Sequence, residues 1–167
     1  ADLEERHSGA MAMFVAGCGA DQNPLPRRRI ELCRGYGRLL AEGVDRVLSS
    51  EMRPLAGTLA AEVRQVDLAF DRLPTREDLR AEARSAQRWT AARARRFLAE
   101  LDAGRSLPVA YPYPVQAVQI GELTIVALAG EAVVDYSLRL KRELGRENTW
   151  VAAYSNDLCA YIPSERV

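Results

Sequence analysis

The run "LTIVALAGEAVVDYSLRLKRELG" (Leu123–Gly145) constrains the fold more than any other stretch of the chain. Leu123–Leu128 is a short apolar segment of strand length. Ala129-Gly130-Glu131 breaks it, and a helical pattern then extends from about Ala132 to Leu144, where Gly145 stops it. Just upstream, Val115, Ala117 and Gln119 alternate with Gln116, Val118 and Ile120, and Gly121-Glu122 offers a tight turn. This pattern predicts a hairpin ending in the Leu123–Leu128 strand.

The same alternation of strands and helices covers the rest of the chain. "GAMAMFVAG" (Gly9–Gly17) is an apolar run bounded by glycines and predicts a buried strand. Gly17, Gly19, Asn23, Pro24 and Pro26 supply the turn after it. A helix is predicted over Arg28–Ser49, with Ile30, Cys33, Gly37, Leu40, Val44 and Val47 on one face. Thr58–Phe70 reads as one strand or two short ones, exposed on one face. "LPTREDL" opens a long helix, with Thr75 at the N-cap and Asp78 in the capping-box position. Its apolar stripe runs through Leu79, Ala83, Ala86, Ala94, Phe97 and Leu101, and Gly104 ends it. Thr149–Asp157 is the last strand. The expected fold is α/β: a mixed, largely parallel sheet flanked by helices, in a single domain spanning residues 1–167.

Composition narrows the function classes. Lys and Arg total 23 and Asp and Glu total 23, so no global field favours nucleic acid or an anionic membrane. Lys141 is the only lysine, an arginine bias that fits GC-rich coding. Cys18, Cys33 and Cys159 are odd in number and form no C-x-x-C pair, which argues against a disulfide framework or a Cys-rich zinc site. His7, the one histidine, cannot build a histidine metal site alone. No apolar run approaches the roughly 20 residues of a membrane span. The opening "ADLEERH" and the closing "IPSERV" read as ends cut from a longer chain.

In open α/β sheets, ligands gather beyond the carboxyl ends of strands. Three junctions carry candidate residues: Cys18–Asn23, Gly130-Glu131 and Asn156–Tyr161. If their strands run parallel, all three share one edge. Asp21, Gln22 and Asn23 read either as an Asx-capped turn or as substrate-orienting groups. Cys18 has no nameable base and reads as an inert thiol rather than a nucleophile. Arg27–Arg29 reads as a solvated face, although cations at a helix start invite a bound anion. Glu131 is either a first-turn carboxylate or a metal ligand or general base at a rigid strand end. Tyr161 is either a packing residue or a ligand ionised by a dication. The arginines Arg80, Arg84, Arg88, Arg93, Arg95 and Arg96, interleaved with Glu77, Glu82 and Glu100, read as a solvated helix face.

Over Gly9–Arg28 and Gly121–Val167 the sequence resembles the neutral/alkaline (non-lysosomal) ceramidase family, especially its shorter bacterial members. The segments that carry the resemblance are "MFVAGCGADQNP", "GELTIVALAGEAVVDYSLRLK" and "YSNDLCAYIPSERV"; Glu51–Gly104 contributes little. The resemblance implies the C-terminal part of the catalytic domain of a zinc-dependent amidase that cleaves the N-acyl bond of ceramide, in sphingolipid metabolism. It implies a zinc held by two histidines, a glutamate and a tyrosine. Glu131, after Gly130 and before the basic stretch Arg139–Arg142, matches the glutamate position, and Tyr161 matches the tyrosine. The histidine ligands would lie N-terminal to this segment, and His7 fits neither histidine motif. The family's Gly-Asp-x-Ser-Pro-Asn motif, whose serine is catalytic, is replaced here by Gly19-Ala20-Asp21-Gln22-Asn23-Pro24. Asp21, Gln22 and Asn23 are the residues left to orient substrate. Two expectations follow from the resemblance. One is a zinc hydrolase acting on a lipid or related amide, outside the cytoplasm and inactive as this segment alone. The other is a non-catalytic α/β module that has lost the serine and binds a ligand or partner. A further reading is hydrolysis of a different ester or amide, with the metal retained and the lipid pocket lost, with which the neutral charge and the lack of an exposed amphipathic lipid-facing helix are compatible.

Overall fold

A computed structural model describes residues 2–166. In chain order the elements are α1 (Asp2–Arg6), α2 (Ile30–Leu48), β1 (Leu59–Ala69), α3 (Arg76–Glu82), α4 (Arg88–Asp102), β2 (Ala110–Ile120), β3 (Leu123–Leu128), β4 (Glu131–Ala132), α5 (Val134–Leu144), β5 (Thr149–Ala152) and β6 (Tyr161–Ile162). The fold is α/β. A four-stranded sheet has the order β1-β2-β3-β5, and β4 pairs with β6 in a second, two-stranded sheet. The chain divides into two compact units, one formed by residues up to Arg64 with Pro114 onward, the other by Gln65–Tyr113.

In the first unit, β3 is the hinge of the design. It pairs antiparallel with β2, from Val115↔Leu128 to Ile120↔Leu123, as the hairpin pattern predicts. Gly121 makes the turn in a left-handed conformation (φ +56°), and a Cβ there would come within 2.1 Å of the Ala56 carbonyl oxygen. On its other edge β3 pairs parallel with β5, from Thr124↔Thr149 to Ala127↔Ala152. The sheet is therefore mixed, as expected, but not largely parallel: the hairpin forces one antiparallel pairing because a short turn can only reverse the chain. Val126, Leu128 and Val151 gather with Cys18, Ala132 and Ala153 into the core, and Tyr136 and Leu140 of α5 pack against it. The last strand stops at Ala152, short of the predicted Asp157, because the backbone bends sharply at Tyr154.

Three further expectations change. Gly9–Gly17 is neither a strand nor buried: Met13 is 85% and Phe14 82% exposed. Its carboxyl end touches the sheet where Ala16 O accepts from Ala153 N–H at 2.9 Å, but an apolar run becomes a strand only when a ladder of such bonds forms. Helix α2 forms nearly where expected, yet its apolar face is open, with Leu40 62% exposed and only Ala41 buried. An exposed amphipathic helix is thus present, against expectation. Strand β1 is exposed at every position rather than on one face.

The second unit contains the capping box read from the sequence. Thr75 Oγ1 accepts from Asp78 N–H at 3.1 Å, and Asp78 Oδ2 accepts from Thr75 N–H at 2.8 Å. The single long helix expected here is two, α3 and α4, packed on each other. The break falls where Ser85 Oγ accepts from Gln87 N–H at 3.1 Å, a local bond that competes with the helical ladder. Leu79 and Ala94 become fully buried, and Gly104 (φ +74°) ends α4. The arginine face is solvated and laced with ion pairs, including Arg93–Glu82 at 2.6 Å and Arg72–Asp78 at 2.8 Å. Among the described residues no helix is long and apolar enough to cross a membrane.

Candidate functional site

The three candidate junctions do come together. After β3, Gly130 turns the chain with φ +62°, and a Cβ on it would lie 2.6 Å from the Ala160 carbonyl oxygen. Only glycine permits that approach at that dihedral. Gly130 N–H donates to Asp157 O at 2.8 Å, and Glu131 N–H donates to Ala160 O at 2.8 Å. These bonds seat β4 beside β6 in parallel, with Glu131 opposite Tyr161 and Ala132 opposite Ile162. Side chains alternate along strands. Ala132 and Ile162 accordingly enter the core, while Glu131 and Tyr161 project from the same outer face, Tyr161 being 43% exposed.

The Cys18–Asn23 loop closes over the start of α5. Ala20 N–H donates to Ala132 O at 3.3 Å. Asp21 Oδ1 accepts from Val134 N–H at 2.9 Å, and Asp21 Oδ2 accepts from Arg166 Nη2 at 3.1 Å. Arg166 Nε also reaches Asp135 Oδ2 at 2.9 Å. Asp21 therefore caps a helix 113 positions away in sequence, an Asx cap as the residue type allows but delivered across the fold. Its side chain is only 16% exposed. The Val134 N–H, and then the Gln22 and Arg166 side chains, hold its carboxyl below the usual range. Gln22 and Asn23 extend beyond the cap and are exposed.

The third junction is bent back on the first two. Tyr154 N–H donates to Gly130 O and Ser155 N–H to Leu128 O, both at 3.0 Å. Asn156 Nδ2 donates to Gln116 Oε1 at 3.0 Å. Asn156 has φ +65° and Tyr154 φ +55°. Asparagine tolerates that region; an aromatic residue there is an outlier, costing about 1–3 kcal/mol that the surrounding bonds must offset. Burial, then the nearby Glu131, Cys18 and Tyr161, push the Tyr154 phenol pKa up, so it stays protonated at neutral pH. The sequence reading missed Tyr154. An aromatic directly after a strand looks like packing, and nothing in the residue order announces its backbone conformation.

Other candidates lie apart from this cluster or within its core. Burial pushes the Cys18 thiol up, as suits a packing residue rather than a nucleophile. Arg27–Arg29 is exposed, with Arg29 Nε 3.4 Å from Glu31. His7 Nε2 lies 2.8 Å from Asp45 Oδ1, tying α1 to α2. A hollow of about 700 Å³ lined by Phe70, Leu73 and Phe97 contains none of the candidate residues.

Among the described residues, no group of three or more His, Cys, Asp or Glu side chains is gathered as a metal site. Glu131 and Tyr161 stand opposite each other on adjacent strands, whose backbones lie about 4.8 Å apart. A carboxylate and a phenol are oxygen donors of a kind zinc accepts, but a zinc site needs further ligands and an open position. Comparison with known protein families, curated proteins and solved structures yields no match.

Proposed function

We propose that this chain supplies part of the catalytic centre of a zinc-dependent hydrolase that cleaves an N-acyl amide bond, in a ceramide-like lipid or a related amide. The observation that carries the reading is the register pairing of Glu131 with Tyr161 on one outer face. The inward positions of this short strand pair, Ala132 and Ile162, pack on the core, and its two outward positions hold an acid and a phenol. Their match to the ligand positions implied by the ceramidase resemblance adds to this. Glu131 and Tyr161 would hold the ion, with two histidines from outside this segment. A zinc ion held there supplies Lewis acidity, polarising an amide carbonyl and making water nucleophilic at neutral pH. Gln22 and Asn23, exposed beyond the cap made by Asp21, orient the substrate. On this reading the segment alone does not turn over, and the enzyme acts outside the cytoplasm.

The second reading, a non-catalytic α/β module that binds a ligand or partner, is favoured by one observation. Both Asp21 carboxylate oxygens are already engaged, by Val134 and Arg166, in a loop that has no serine.

Zinc stoichiometry of the full-length protein separates the two. About one zinc per chain in the wild type, lost in Glu131→Ala and in Tyr161→Phe at unchanged secondary structure, supports the hydrolase. A well-folded wild type without zinc sinks it.

A further inference from the structure

We infer that the Tyr154 hydroxyl is a substrate-facing hydrogen-bond donor of this site, serving the carbonyl oxygen of the N-acyl amide. The inference rests on the hydrolase reading and adds to it a residue that the ligand positions do not include. Three observations carry it. First, Tyr154 holds a left-handed backbone (φ +55°) that an aromatic residue adopts only under constraint. The constraint is specific, since its own N–H and that of Ser155 bond the carbonyls of Gly130 and Leu128, just ahead of Glu131 in the chain. Second, its hydroxyl has no hydrogen-bond partner among the described residues. Tyr136 Oη, by contrast, donates to Pro163 O at 2.9 Å, and Tyr36 Oη donates to Pro26 O at 2.7 Å. Third, Tyr154 is 38% exposed while its backbone N–H is bonded to the carbonyl of Gly130, the residue before Glu131, so the side chain is accessible beside the start of β4.

Backbone strain of this kind persists where surrounding structure over-determines it, and it concentrates at working sites. A neutral phenol is suited to the role. It donates one hydrogen bond to an oxygen that gains negative charge in the transition state and forms no covalent bond. Its rigidity is an advantage, because the donor need not be reoriented during the reaction.

The test uses the zinc-loaded full-length protein as wild type, Tyr154→Phe and Tyr154→Gly. The probes are hydrolysis of N-decanoyl-p-nitroanilide and binding of decanoate, the product carboxylate, by thermal shift. Tyr154→Phe is expected to lower kcat/KM by about 100-fold or more and to weaken decanoate binding, with zinc content and Tm at wild-type values. Tyr154→Gly, freed of the unfavourable dihedral, is expected to match or exceed the wild-type Tm while losing as much activity. Wild-type kinetics and decanoate affinity in Tyr154→Phe overturn the inference. So does a Tyr154→Phe protein that loses zinc or melts early, since the ring is then structural. A zinc-loaded wild type that neither cleaves the anilide nor binds decanoate also overturns it. A wild type that holds no zinc defeats the hydrolase reading itself, so the two failures are distinct.

Discussion

Helix α2 and the β3–β4–α5 junction use their apolar residues in opposite ways. Helix α2 carries an apolar face through Ile30, Leu40, Val44 and Val47, every one of them exposed. The junction relies on small residues: Ala129, Ala132 and Val133 are fully buried, and Gly130 lies against the Ala160 carbonyl. Around Gly130 the backbone is tied repeatedly to one later stretch of chain, at Tyr154, Asp157 and Ala160. Helix α2 is tied mainly to α1, where Arg6 and His7 reach Asp45. Apolar content alone is therefore a poor guide to where this molecule is rigid. Close backbone approach is the better one, because it leaves no room for adjustment.

That contrast can be broken at several points. The largest effect is expected at Gly130→Ala. The new Cβ meets the Ala160 carbonyl and the side chain of Ile162 while occupying a left-handed dihedral. A loss of at least 2 kcal/mol is expected, measured by urea denaturation, together with zinc loss from the full-length protein. A Gly130→Ala protein of wild-type stability would show that β4 and β6 are not held as described.

Asp21 gives an intermediate, pH-dependent effect. Its folded pKa is depressed by the Val134 N–H, with help from Gln22 and Arg166. The unfolded chain therefore binds the proton more readily, and the stabilisation is fully present above the unfolded value of about 3.9. It is lost as pH falls through the lower folded value. Asp21→Asn keeps an acceptor for Val134 N–H but removes the charge facing it and Arg166; it is expected to lower Tm by a few degrees at pH 7 and to converge with the wild type at low pH. Scanning calorimetry at several pH values reads this directly, and a pH-independent difference would contradict it. The smallest effect is expected at Leu40→Gln on α2, within about 0.5 kcal/mol, because the side chain is 62% exposed. A large loss there would mean that this face is covered in solution.

Much of the fold is legible in residue order where the signal is local. The Gly121 hairpin, the Thr75–Asp78 capping box and the glycines ending α4 and α5 follow from residue type and spacing. The single long helix read from Thr75 to Gly104 is broken near Ser85, whose hydroxyl satisfies the Gln87 N–H. The buried strand read over Gly9–Gly17 fails because hydrophobicity does not specify a ladder partner. Of the candidate site, the meeting of the three junctions was expected only on condition that parallel strands precede them, and the first of those, Gly9–Gly17, is not a strand. The capping role of Asp21 was not legible, since its partner lies 113 residues away.

The sequence by itself determined the α/β class, the hairpin, the caps, and the positions where an acid and a phenol follow strand ends. Each depends on contacts within a few residues, which composition and period encode. Tertiary structure alone decided that Glu131 faces Tyr161 in register, that Asp21 caps α5, and that Tyr154 is held left-handed beside them. Those outcomes depend on which backbones meet across more than twenty residues of chain. That meeting is set by the packing of the whole unit, and no local pattern carries it.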